Sequence, residues 1–88
     1  MKLTSVQQNI ISKMREGYEL GHFRGVTKSF YSIQKGGCGK GGATVNITFP
    51  TFAALRSMNL IQPFGVNTFS LSRYELSELG KTVLLNLL

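Results

Sequence analysis

The sequence predicts an α+β fold in one small domain spanning residues 1–88. Three observations predict it. A capped amphipathic helix opens the chain. Alternating runs rich in β-branched and aromatic residues follow, around a glycine loop. A short helix, a hairpin and a final helix close it. A chain of 88 residues can bury one modest core.

The opening helix has a start, a face and a stop. Thr4 and Gln7 stand at capping-box spacing, the Thr hydroxyl on the Gln amide and the Gln reaching back. Leu3, Val6, Ile10, Ile11 and Met14 follow at helical spacing and predict the buried stripe. Gln7, Gln8, Asn9, Lys13 and Arg15 fall mostly on the wet side. Gly17 can take the left-handed conformation past the last turn.

Three strand candidates come next. Residues 18–24 alternate Tyr18, Leu20 and His22 against Glu19 and Gly21. Ser29 to Lys35 puts Tyr31 and Ile33 on one face. Ala43 to Phe49 puts Val45, Ile47 and Phe49 on one face and Thr44, Asn46 and Thr48 on the other. Gly36 to Gly42 lies between the last two runs and reads as a long flexible hairpin tip. Lys40 in that loop is followed by Gly41, not by the hydroxyl a phosphate-binding P-loop needs to hold magnesium. Cys38 is expected to be exposed on the tip.

Residues 48–72 carry the densest signals. Thr48 can cap a helix, with Pro50 in the first turn, where its missing N–H costs nothing. Phe52, Leu55 and Met58 share a face, and Asn59 supplies a left-handed stop. With that face buried, the outward positions are Pro50, Ala53, Ala54 and Ser57, with Arg56 at the flank. Leu60-Ile61 starts a strand, Pro63 to Asn67 turns it, and Thr68 to Leu71 returns. Ser72 and Glu75 have the spacing of a second capping box, with Leu71 and Leu76 as its hydrophobic staple. Leu76, Leu79, Val83 and Leu87 continue that helix. The Leu-rich tail (Leu84, Leu85, Leu87, Leu88) exceeds one face and predicts a homodimer through the C-terminal helix.

The runs Leu55-Arg56-Ser57-Met58-Asn59-Leu60-Ile61, Phe69-Ser70-Leu71-Ser72 and Glu78-Leu79-Gly80-Lys81 resemble the second half of a winged-helix domain of the MarR-like or phage type. The likeness covers residues 48–82, with Asn59 where the family usually has Gly. It implies a small winged-helix-like domain: a helix followed by strands, a short recognition helix, a β-hairpin wing and a C-terminal helix. It also implies double-stranded DNA as partner, with Thr51 to Met58 in the recognition position and Phe64 to Thr68 at the wing tip. The first half departs from the family. After one strand a winged helix has a second helix, and here the sequence offers more strands.

Charge points the same way. Residues 20–74 contain no Asp or Glu but carry Arg24, Lys28, Lys35, Lys40, Arg56 and Arg73, so the +6 net charge is concentrated there. Such a field attracts polyanions, nucleic acid first. Charge gives Arg24, Lys28, Lys35 and Lys40 as expected DNA-binding residues, and the winged-helix resemblance implies Thr51, Arg56, Ser57 and Asn67 beside them. The other function class is a protein-interaction module, a small inhibitor or accessory protein on the same scaffold. An enzyme is not expected. His22 and Cys38 are the only His and Cys, too few for a structural zinc site, and nothing in the sequence brings them together. Glu16, Glu19, Glu75 and Glu78 are explained by helix ends and caps. No cofactor, metal or catalytic residue is expected. With no secretory apolar segment and no run near the ~18–20 residues of a membrane span, a cytoplasmic protein is expected.

Overall fold

The computed structural model describes residues 3–38, 41–65, 70–83 and 85. The order of elements is α1 (Ser5–Arg15), β1 (Tyr18–Arg24), β2 (Ser29–Lys35), β3 (Thr44–Ile47), α2 (Phe49–Ser57), β4 (Ile61–Pro63), β5 (Leu71–Leu76) and α3 (Glu78–Thr82). The strands form one antiparallel five-stranded sheet in the order β3-β2-β1-β5-β4. The helix α1 and the helix α2 pack on the same face of it, so the fold is α+β with two layers. Where the winged-helix pattern has one strand and a second helix, residues 18–47 form the meander β1, β2, β3.

Helix α1 starts as its sequence dictates. Gln7 N–H donates to Thr4 Oγ1 at 3.1 Å, and Thr4 N–H donates to Gln7 Oε1 at 3.0 Å. Leu3, Ile10, Ile11 and Met14 are buried. Val6 is 59% exposed, against expectation. It lies on the flank of the arc those four residues share, at the first turn. Gly17 ends the helix with φ +110°, and Gly36 N–H donates to its carbonyl at 3.1 Å.

The sheet alternation sorts side chains strictly. Leu20, Ile33, Ile61 and Leu76 face the helices and meet Ile10, Ile11, Met14, Phe52 and Leu55 in the core. The opposite alternation puts Glu19, Gly21, Phe23, Phe30, Ser32, Gln62, Leu71, Arg73 and Glu75 on the other side. Among the described residues that side bears no helix.

Helix α2 crosses the helix-bearing face. Phe52 packs between Tyr31 (ring centroids 4.4 Å apart, stacked) and Tyr74 (5.0 Å, edge-on). Thr48 sits at the N-cap without a side-chain capping bond; its hydroxyl lies 3.0 Å from that of Thr51. Asn59 stops the helix at φ 59°, as its position predicts. The strand expected over residues 43–49 is confined to Thr44–Ile47, because Phe49 is already the first residue of α2.

The C-terminal part needs a larger correction. Leu71–Leu76 is a strand, not the start of a helix, so Ser72 and Glu75 do not form a capping box and Leu71 and Leu76 do not staple one. The run also alternates: Ser72, Tyr74 and Leu76 face the core while Leu71, Arg73 and Glu75 face away. Pairing to β1 over residues 71–74 and to β4 over residues 74–76 gives its backbone partners within the sheet and covers the edge of β1, which a surface helix would not do. The true cap is Ser77, whose Oγ accepts from Gly80 N–H at 3.1 Å. Helix α3 is then only Glu78–Thr82, and Leu79 is 42% exposed. Val83 and Leu85 pack back on the core. Among the described residues no helix is long and apolar enough to cross a membrane.

Candidate nucleic-acid interface

The helix-bearing side gathers basic groups. Strand alternation places Arg24 and Lys35 on the side of Leu20 and Ile33, at opposite ends of the β1–β2 pair. The interval of β1 makes those ends about 20 Å apart. Arg24 Nη1 lies 3.3 Å from His22 Nδ1. Lys28 is exposed on the turn joining β1 to β2, which Gly25 N–H closes by donating to Lys28 O at 2.7 Å. Arg56 leaves the last turn of α2 and lies over the Tyr74 ring, 5.3 Å from its centroid. Aromatic stacking of this kind holds a guanidinium in place while leaving its edge open to a ligand. Ser57 beside it is exposed, and Thr51 is half-buried.

Ala53 and Ala54, expected to face outward, are half-buried instead. Helix α2 therefore presents Phe49, Pro50, Arg56 and Ser57. Lys40 and Asn67 lie outside the described residues.

One basic residue was missed by sequence reasoning. Lys13 extends its ammonium over the Tyr18 ring, 5.2 Å from the centroid, on the same side and beside the end of β2 that carries Lys35. The sequence gives Lys13 as wet but does not say next to what. Arg15 and Arg73 are otherwise engaged. Arg15 donates to main-chain carbonyls near the C-terminus, and Arg73 lies on the opposite face over Phe64 at 5.5 Å.

The two strand acids lie the other way, while Glu16 caps the end of α1. Glu19 and Glu75 are both on the helix-free face. Glu75 accepts from Gln62 Nε2 at 2.7 Å, and Glu19 accepts from Cys38 N–H at 3.0 Å. Glu78 pairs with Lys81 at 3.6 Å on α3. Among the described residues Lys28, Lys35 and Arg56 pair with none of the four glutamates.

Cys38 corrects an expectation. It is buried, not exposed on a loose tip. Cys38 lies against the helix-free face, where its amide meets the Glu19 carboxylate and its Sγ lies 3.5 Å from Glu19 O. Burial, reinforced by the Glu19 charge, pushes the thiol pKa up to about 12. Such a group stays a protonated thiol at neutral pH. His22 stacks on Tyr31 at 4.2 Å, and its Nε2 is buried without a hydrogen-bond partner. Burial and then the Arg24 charge hold its pKa below the usual value. Among the described residues no three His, Cys, Asp or Glu side chains come together. No family model, curated protein or solved structure matches the chain.

Proposed function

We propose that the protein binds duplex DNA through its helix-bearing face, as a small regulatory or accessory protein. One observation carries the reading. The strand carboxylates Glu19 and Glu75 fall on the helix-free face, while Lys13, Arg24, Lys35 and Arg56 fall on the other, with Lys28 at its margin. A surface with cations and no strand carboxylate suits a phosphate backbone.

The order α2, β4, β5, α3 supports a winged-helix-like use of this half, with α2 in the recognition position and the β4–β5 hairpin as the wing. Phe52 and Leu55 anchor α2 to the sheet, so its offering to a groove is narrow: Arg56 and Ser57, flanked by Pro50 and Thr51. Base reading favours Arg, Lys, Asn and Gln at several positions. This arrangement is therefore a phosphate-contacting one with weak sequence preference.

The test is binding of a duplex as salt is raised. Each phosphate contact contributes about −0.9 to the slope of log affinity against log salt. Lys28→Ala and Arg56→Ala should each weaken binding to all sequences alike and flatten the slope by about 1. No binding at low salt, or a slope indifferent to both changes, removes the proposal.

A further inference from the structure

The two edges of the sheet are unlike. Strand β4 is guarded: it is three residues long, ends in Pro63, and Gln62 is tied to Glu75. Short length and proline are how natural sheets blunt an edge. Strand β3, four residues long, carries no proline and no side-chain tie of that kind. Thr44, Val45 and Asn46 are exposed, and Gly41 to Leu55 carries no charged side chain.

The hydrogen-bond phase of β3 can be read off. Lys35 N–H donates to Ala43 O at 2.9 Å, so residues 35 and 43 form a hydrogen-bonded pair. In an antiparallel ladder such pairs alternate, so Ile33 with Val45 and Tyr31 with Ile47 are the next ones. The main-chain groups of Thr44 and Asn46 therefore point away from β2, to the free edge. Two residues separated by one make a self-complementary edge. A second copy running antiparallel would set Thr44 against Asn46 of its mate twice, giving four main-chain hydrogen bonds about a twofold axis at Val45.

We propose that this edge joins two copies of the chain into one continuous sheet through β3. Charge marks this as the place where two copies can meet. Two chains of +6 repel, and β3 offers a contact with no like charges opposite each other. Apolar surface is also on hand. Val45 is 38% and Phe49 60% exposed, on the helix-bearing side beside the edge. This contact is separate from the dimer expected through the Leu-rich tail, where Leu85 packs against the core and Leu84, Leu87 and Leu88 lie outside the described residues. The pairing does not depend on nucleic-acid binding.

The experiment is sedimentation of the full chain over a range of concentrations, with three variants. Wild type should sediment as a dimer at the higher concentrations. Val45→Lys sets two like charges at the axis, and Asn46→Pro removes an outward donor without touching the bond to β2. Both should sediment as monomers with the circular dichroism and melting temperature of the isolated fold. Val45→Cys should give a covalent dimer with copper-phenanthroline as oxidant, because facing residues in a non-hydrogen-bonded pair come close. Asn46→Cys should not, because its two copies would stand beyond the ~7 Å Cα separation a disulfide spans. A wild type that stays monomeric throughout overturns the proposal. So does a folded Val45→Lys variant that remains dimeric, even if Asn46→Pro does not fold. Crosslinking of Asn46→Cys in preference to Val45→Cys overturns the register.

Discussion

The Cys38 thiol lies so close over Gly21 that a Cβ built on residue 21 would stand 2.6 Å from Sγ. Phe23 and Leu71 close in on the same point, at 3.0 and 3.1 Å. Gly21 is thus the floor on which Cys38 rests, and the thiol is hidden where its sequence leaves it bare.

Gly21→Ala should cost about 1–3 kcal/mol, the range for overpacking a filled site. Removing Sγ relieves the tightest of the three contacts. The Gly21→Ala/Cys38→Ala double variant should therefore lose less than the sum of the single losses. Urea denaturation of the four proteins measures the coupling. Additive losses would show that Cys38 does not rest on Gly21.

Thiol reactivity reports the same docking. With its pKa pushed up to about 12, Cys38 should react with a disulfide reagent far more slowly in the native chain than in urea. Fast labelling of the native protein would mean that Cys38 stands open.

His22 makes stability depend on pH. Its folded-state pKa is lowered from 6.5 by burial and by Arg24, so the folded chain prefers the neutral ring. As pH falls through about 6.5 the unfolded chain takes up the proton first. Stability from the neutral ring is present above that value and is lost as pH drops toward the lower folded-state pKa. His22→Phe keeps a ring against Tyr31 but cannot titrate. It should remove the part of the melting-temperature fall that occurs just below pH 6.5. An unchanged profile would exclude His22 as its source.

What the sequence disclosed and what it hid have physical causes. Local signals read true: the Thr4–Gln7 box, the Gly17 and Asn59 stops and the strands 18–24 and 29–35 depend on residues close in the chain. Leu71–Leu76 misled because Ser72 and Glu75 have cap spacing, while the pairing that makes it a strand comes from β1, some fifty residues earlier. Cys38 misled because its glycine-rich neighbours give no sign of what the thiol packs against. For the interface, the acid-free stretch was visible, but its sidedness was not. That required knowing which strands neighbour each other, and therefore which alternation faces the helices.

The first cap can be weighed alone. Thr4→Ala removes the acceptor for Gln7 N–H and leaves that donor to water. Loss of such a cap costs typically about 1 kcal/mol. Thr4→Ser keeps the oxygen and should cost less. Equal losses for the two, by urea midpoint, would mean that methyl packing and not the bond is what matters.

Arg15 separates stability from binding. It leaves the last turn of α1, and its Nε and Nη2 donate to Gly80 O at 3.3 and 3.1 Å, with Nη2 also donating to Val83 O. It so ties the first helix to the last, at a point where Gly80 is pressed against Leu60 O and has no room for a side chain. Hydrogen bonds to charged groups contribute about 1.5–3 kcal/mol, and partial exposure here favours the lower end. Arg15→Ala should lower stability by roughly that lower figure, and Arg15→Lys should recover only part of it, because an ammonium lacks the planar fork. Because this guanidinium is spent within the chain, its loss should leave the salt slope of DNA binding unchanged, unlike the loss of Lys28 or Arg56. A slope that flattens on Arg15→Ala would place Arg15 among the phosphate contacts and redraw the interface around the C-terminal end of α1.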